Sequence, residues 1–244
     1  MILSPPRCGS TALARSLWQH RAFRWYLHEP CDWAYHIGSG PPPGSVAGAL
    51  IDRAGFPAAS ATGTGVVVKE MTFQAGDAIG EFQAATLPVI FLVRDPRLAV
   101  LSRMRQRELD GDIPSFPAQE AGWRDLLAAL ALFRESGTPS VIVDVADIRR
   151  SPGVTLRALC ARLGLPWDRA MLRWESRSGL SLGNLGGCQD TWYARVLAST
   201  SWEPPDEKPP PDEVFGGSGM RAVIAESLDA YRKARLDPRF LAIG

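Results

Sequence analysis

The first fifteen residues constrain this chain most. Met1-Ile2-Leu3 is an apolar stub, Ser4-Pro5-Pro6-Arg7-Cys8-Gly9 is a Pro/Gly turn carrying a guanidinium, and Ser10-Thr11 opens a helical pattern through Arg15. A strand that breaks into such a turn and re-enters as a helix gathers backbone N–H groups at the positive end of the helix dipole. Arg7 adds a charged fork to them. The turn is therefore expected to hold a phosphate or sulfate group. Only three residues precede it, whereas strands usually run to about five or six. Either this strand is unusually short or the biological start lies upstream. So early a turn also leaves no room for a secretory leader.

Downstream, apolar runs alternate with helical patterns. Residues 24–28 read as a short strand stopped by Glu29-Pro30, and Val66-Val67-Val68 as a buried strand ended by Lys69-Glu70. Residues 88–93 form the clearest strand and 140–143 another. Helices are expected over 10–20, 78–85, 96–107, 119–135, 154–163 and 220–234, with Pro96 at a first helical position. Residues 38–65, rich in Pro, Gly, Ala and Ser with one helical patch near 46–54, read as a mobile insertion over one face. Residues 176–211 read as mostly loop, with 204–211 a solvated linker to the last helix.

Uniformly apolar strands alternating with helices indicate a parallel sheet covered on both faces. The expectation is an α/β fold of three layers, a mostly parallel central sheet flanked by helices, in one domain spanning 1–244. In such sheets ligands sit beyond the carboxyl ends of the strands. Arg7, Glu29, Lys69 and Arg94 each follow a strand closely, so four polar or charged side chains should gather at one edge.

Charge makes any anion site local. Lys and Arg number 27 against 26 Asp and Glu, a net +1 that argues against nucleic acid or a membrane surface as partner. No apolar run reaches the ~18–20 residues that span a bilayer. The four cysteines, at 8, 31, 160 and 188, show no C-x-x-C pairing. Their spacing favours reduced thiols in a cytoplasm over disulfides or zinc.

The first turn is not a Walker A loop, G-x-x-x-x-G-K-[ST]. Ser4 stands at the first glycine, Ser10 at the lysine, and the cation has moved back to Arg7. Nor is it a C-x5-R phosphatase loop, since position 14 is Ala and Arg15 falls one residue late. Pro6-Arg7-Cys8-Gly9-Ser10-Thr11 instead resembles the 5′-phosphosulfate loop of the sulfotransferases, P-[KR]-[ST]-G-[ST]-T, with Cys8 a small loop residue where relatives often have Ser. A second segment, Val93-Arg94-Asp95-Pro96 through Ser102, resembles the family's 3′-phosphate segment. There an Arg ends a strand and a Ser follows eight positions later on the next helix. The chain bends at Pro96, so Arg94 from the strand end and Ser102 from the helix can meet at one phosphate. Weaker likenesses at 144–148, 156–167, Trp192-Tyr193 and Ser199-Thr200 extend the resemblance over most of the chain.

That resemblance implies that Arg7, Cys8, Gly9, Ser10, Thr11, Arg94 and Ser102 bind 3′-phosphoadenosine 5′-phosphosulfate. It implies adenosine 3′,5′-bisphosphate as product, a small-molecule acceptor with a hydroxyl (less readily an amine), and no metal. Arg7 would stabilise the charge on the leaving phosphate. An Arg does not give up a proton there, so its part is electrostatic. A base must take the acceptor's proton. Glu29-Pro30-Cys31-Asp32 lies where bacterial relatives carry an E-P-x-[ED]-type segment. Glu29 is the first choice, Asp32 close behind and His28 third, although a Glu before Pro can also simply tie down a turn. Lys69 can contact the sulfate or the acceptor, or end its strand in solvent. Trp192 or Trp202 can stack on adenine, close over the acceptor, or pack in the core. His28 and His36 show no metal-ligand spacing with the nearby carboxylates.

Two readings of other classes stay open. One is an ATP-dependent small-molecule kinase with a degenerate P-loop and Asp144 as a metal-bound acid, against which the missing loop lysine argues. The other is a non-catalytic nucleotide-binding subunit. The richness in Ala, Arg, Gly and Pro fits a GC-rich genome and the tailoring of a bacterial secondary metabolite. Neither the acceptor nor the oligomeric state is legible.

Overall fold

A computed structural model of the chain describes residues 1–38, 50–53, 63–84, 88–183, 185, 187–204 and 208–243. Its strands are β1 (Ile2–Ser4), β2 (Phe23–His28), β3 (Leu50–Asp52), β4 (Gly65–Met71), β5 (Val89–Val93) and β6 (Ser140–Asp144). Its α-helices are α1 (Ser10–Gln19), α2 (Asp32–Ile37), α3 (Thr72–Ala75), α4 (Ile79–Ala84), α5 (Pro96–Leu109), α6 (Trp123–Glu135), α7 (Val145–Arg150), α8 (Pro152–Arg162), α9 (Asp190–Ala198) and α10 (Ser218–Leu236). The six strands form one sheet in the order β3-β2-β4-β1-β5-β6, parallel throughout except for the antiparallel β2–β3 edge.

The apolar strands are buried on both faces, and their alternation divides the core in two. In β5, Val89, Phe91 and Val93 enter one core while Ile90 and Leu92 enter the other. The first core takes Val100 from α5, Leu126 and Phe133 from α6 and Ile224 from α10; the second takes Leu13 and Leu17 from α1 and Leu156 and Leu159 from α8. Phe91 meets Phe133 edge to face at 5.6 Å, and burying a ring of this kind contributes about 1.5–3 kcal/mol. β1 is only three residues long yet sits in the middle of the sheet. Ile2 and Leu3 are fully buried and paired on both sides, with Lys69 and Glu70 of β4 and with Ile90 and Phe91 of β5.

Two expectations change and a third is refined. Residues 50–52, placed in a helical patch by their alanine-rich surroundings, form edge strand β3. Trp25 pairs with Asp52 there, and Arg24 forks onto the Asp52 carboxylate at 3.0 and 2.8 Å. The rest of that patch, most of the expected insertion and residues 205–207 of the expected linker lie outside the described residues. The stretch 176–211 is mostly loop among its described residues, as expected, but α9 runs through it. The helix expected over 119–135 is split by Gly122, in the left-handed region at φ 73°. A Cβ there would lie 2.7 Å from Thr72 Oγ1, whose hydroxyl donates to the Gly122 carbonyl at 2.7 Å.

From β1 the chain builds β2, β3 and β4 to one side and then β5 and β6 to the other. The order reverses at β1, and such a reversal opens a crevice at the carboxyl ends of the strands. The turn after β1 and the ends of β2, β4 and β5 converge on it.

Candidate active site

The crevice holds a cavity of about 460 Å³ whose wall includes Arg7, Gly9, Ser10, Thr11, Glu29, Lys69, Arg94 and Ser102. Cys8, His28 and Asp32 lie behind the wall.

On one side the turn after β1 leads into α1. Arg7 and Gly9 both adopt left-handed backbone, at φ 63° and 85°. Gly9 is required there, since a Cβ would come 3.1 Å from Val145 Cγ2. No side chain caps the start of α1, so the amides of its first turn, whose residues line the cavity, are left for an anion. Arg7 Nε donates to Ser102 Oγ at 3.1 Å and Nη1 to the Trp192 carbonyl at 3.0 Å, with the guanidinium over the indole at 5.6 Å. Arg94 Nη1 donates to the Arg7 carbonyl at 2.8 Å. Burial pulls the Arg7 guanidinium below its usual range and Arg94 adds to that; a bound anion relieves both. The Cys8 thiol is buried, 3.8 Å from the Pro6 carbonyl, and burial pushes it up to about 12. It is a packing group with no thiolate character.

The other side is made by the ends of β2 and β4. His28 pairs with Lys69 in register. The next residue, Glu29, curls into the left-handed region at φ 43° and donates its N–H to the Lys69 carbonyl at 2.8 Å. This curl lays the Glu29 carboxylate on the Lys69 ammonium, where Oε1 takes the ion pair and also accepts from Tyr193 OH at 2.8 Å. Glu29 is fully buried. Burial works to raise its pKa, but Lys69, His28 and Tyr193 outweigh it and hold the carboxyl below the usual range. Oε2 has no partner. The result is a charged carboxylate with one oxygen clamped and one uncommitted.

His28 is neutral, because burial pulls it down to about 3. Its Nδ1 is bonded to Tyr26 OH, and its Nε2 stands 3.4 Å from Glu29 Oε1. Asp32 opens α2 and donates its N–H to the Glu29 carbonyl at 3.1 Å. Its Oδ1 accepts from Gln74 Nε2 at 2.7 Å and Gln189 Nε2 at 3.3 Å, and meets His36 Nε2 at 3.2 Å. Those three side chains line the cavity that Asp32 does not reach.

Sequence reasoning missed Glu70, Gln74, Gln189 and Tyr193. Glu70 is buried, and its two oxygens accept from the Cys31 and Met71 N–H groups, each at 2.7 Å, stapling the turn after β2 to the end of β4. Burial and the Glu29 charge push it up to about 8. Its signal was its place beside Lys69. Tyr193 stood next to the noticed Trp192, but only the position of α9 turns its hydroxyl to Glu29. Trp192 and Trp202 both line the cavity, the latter against Trp174 with ring centres 5.8 Å apart. Asp144 is engaged elsewhere: it caps α7 through the Ala146 N–H at 2.9 Å and accepts from Tyr231 OH. Among the described residues no group of His, Cys, Asp and Glu is arranged to hold a metal ion, and no helix is long and apolar enough to cross a membrane.

A family model described as a sulfotransferase domain matches residues 89–223. Two Arabidopsis thaliana proteins, branched-chain-amino-acid aminotransferase-like proteins 2 and 1, are 31% identical over 90 and 96 residues. These matches cover 37% and 39% of this chain but 16% of each relative, so the chain spans only a small share of their length. Among solved structures, the sulfotransferase domain of the olefin synthase of Synechococcus PCC 7002 superposes with a TM-score of 0.52 at 18% identity, covering 95% of this chain and 93% of that one. That likeness shows a shared fold. Because the family model covers more than half of the 244 residues, this chain belongs to the sulfotransferase-domain family.

Proposed function

We propose that this protein transfers a sulfuryl group from 3′-phosphoadenosine 5′-phosphosulfate to a hydroxyl, less readily an amine, of a small molecule. One observation carries the reading. Arg7, far in sequence from Arg94 and Ser102, is joined to both by hydrogen bonds beside the uncapped start of α1. An adenine nucleotide with a phosphate at each end of its ribose supplies two anions for such a pair of cationic stations. The 5′ end falls to residues 7–11, of which Cys8 gives only its backbone, and the 3′-phosphate to Arg94 and Ser102.

The acceptor oxygen attacks sulfur in line with the bond to the 5′-phosphate oxygen. That bond breaks, and its electron pair stays on the phosphate, where Arg7 and the α1 amides stabilise the charge. The acceptor's proton passes to Glu29 Oε2. Lys69 and Tyr193 hold the other oxygen and so aim the free one. Asp32 acts through the side chains it orients rather than as the base, and His28, neutral behind Glu29, supports the carboxylate. The chemistry calls for no metal.

Incubation with donor labelled at sulfur, in the presence of EDTA and a panel of alcohols and phenols, tests the reading. Label should move to the acceptor while adenosine 3′,5′-bisphosphate accumulates. Magnesium-dependent phosphoryl transfer from ATP would overturn it.

A further inference from the structure

The acceptor side of the cavity carries a second uncommitted acceptor atom. Gln74 is 5% exposed and lines the cavity. Its amide nitrogen donates to Asp32 Oδ1 at 2.7 Å. A carboxylate oxygen only accepts, so this bond settles which branch of the amide is nitrogen. The nitrogen is thus turned back to Asp32, behind the wall, and Oε1 is left without a hydrogen-bond partner. A buried carbonyl oxygen with no donor is unfavourable and calls for a partner.

Glu29 Oε2, Gln74 Oε1 and Asp32 Oδ2 all lack a partner in one hydrogen-bonded cluster, and of these three residues only Glu29 and Gln74 line the cavity. Glu29 Oε1 accepts from Tyr193 OH at 2.8 Å, Tyr193 OH also reaches Gln189 Oε1 at 3.5 Å, and Gln189 shares Asp32 Oδ1 with Gln74. Asp32 closes the cluster by donating its N–H to the Glu29 carbonyl at 3.1 Å. The nearby donors are turned inward: Lys69 and Tyr193 to Glu29, Gln189 and Gln74 to Asp32. Two cavity-lining residues therefore each keep a buried oxygen that accepts and is not satisfied by the protein. A single reacting hydroxyl answers only Glu29 Oε2. The cations Lys69 and Arg103 line the same cavity, so the second donor is better a neutral hydroxyl than an ammonium.

We infer that the acceptor is a polyol: one hydroxyl gives its proton to Glu29 Oε2, and a second donates to Gln74 Oε1 and sets which hydroxyl reacts. This rests on the donor reading above. Its test compares kcat/KM for cyclohexanol, its vicinal diol and myo-inositol with 3′-phosphoadenosine 5′-phosphosulfate as donor. The comparison is made on wild type and Gln74→Met, and each preparation is titrated with adenosine 3′,5′-bisphosphate to show that it is folded. A site built to bond a hydroxyl should favour the diol and inositol over the mono-alcohol by about tenfold or more, and Gln74→Met should bring the ratio toward one. Equal use of mono-alcohol and diol, a preference that survives Gln74→Met, or no turnover of any of the three by a protein that binds the bisphosphate overturns the inference alone. A protein that does not bind the bisphosphate overturns the donor reading and this inference with it.

Discussion

The two sides of the cavity are built on opposite plans. The donor side is local: a single turn and helix start provide most of it, and one more strand end and helix complete it with Arg94 and Ser102. The acceptor side is assembled from β2, α2, β4, α3 and α9, and its working atoms are held by one another. On the proposed function, the difference follows from what each side would bind. An anion is met by backbone amides and guanidinium groups, which keep their character wherever a short stretch of chain places them. A base must stay charged in a dry pocket, and burial alone would neutralise it. Glu29 stays ionised because Lys69 and Tyr193, brought to it from elsewhere, act with His28 against its burial. A buried ion pair of this kind is poor value as a stabiliser, and the α/β core does not need one.

If the acceptor side is the chemical half, its disruption should leave the donor side working. Glu29→Gln keeps the shape and removes the charge. It should lower kcat by about 10²–10⁴-fold, the usual range for loss of a general base, while adenosine 3′,5′-bisphosphate binds as before. Equal loss of both would mean the two sides are not separable. The variant should also melt earlier, since Lys69 is left buried without its counter-charge.

Stability against pH sharpens the same contrast, because two groups shifted in opposite directions, His28 and Glu70, lie on the acceptor side. His28, held at about 3 against 6.5 unfolded, loses stability for the fold as pH falls below 6.5, since only the unfolded chain takes up the proton. Glu70, held at about 8 against 4.5 unfolded, works in the other direction, because the native state keeps its proton as pH falls from 8 toward 4.5. Each slope approaches about 1.4 kcal/mol per pH unit. Urea midpoints between pH 6.5 and 5 should therefore respond to the two groups in opposite senses when each variant is compared with the wild type. Relative to the wild type, His28→Asn should gain stability as pH falls across that window, and Glu70→Gln should lose it. Parallel profiles for all three proteins would contradict the assignment.

On the donor side the corresponding change is smaller and lies in the backbone. Gly9→Ala meets a left-handed φ and Val145 Cγ2 at 3.1 Å. It should destabilise the fold by about 1–2 kcal/mol and weaken nucleotide binding, measured by melting and by titration. An unchanged melting temperature would show that the turn relaxes freely.

The same contrast decides what could be read from the chain. The donor side was legible because its residues are contiguous and strand ends gather by topology. Glu29 and Lys69 were found by that rule too, since β2 and β4 are neighbours. Gln74, Gln189 and Tyr193 were not, because only tertiary placement of α3 and α9 makes them partners of Asp32 and Glu29. α9 was hidden among Gly, Ser and Pro, with only Tyr193 and Leu197 buried along it. Edge strand β3 was hidden for another reason. Its three residues have no period of their own, and what holds them is the pairing to β2 and the Arg24–Asp52 fork.

In the proposed function one cationic crevice grips both ends of an adenosine 3′,5′-bisphosphate. Calorimetric titration of wild type and Arg94→Ala with that nucleotide, with adenosine 5′-monophosphate and with ATP tests it directly. The 3′-phosphate should tighten wild-type binding by about ten- to a hundredfold over the monophosphate, as charge-assisted hydrogen bonds do, and Arg94→Ala should erase the difference. Equal binding of the two nucleotides, or a preference for ATP, would contradict the account.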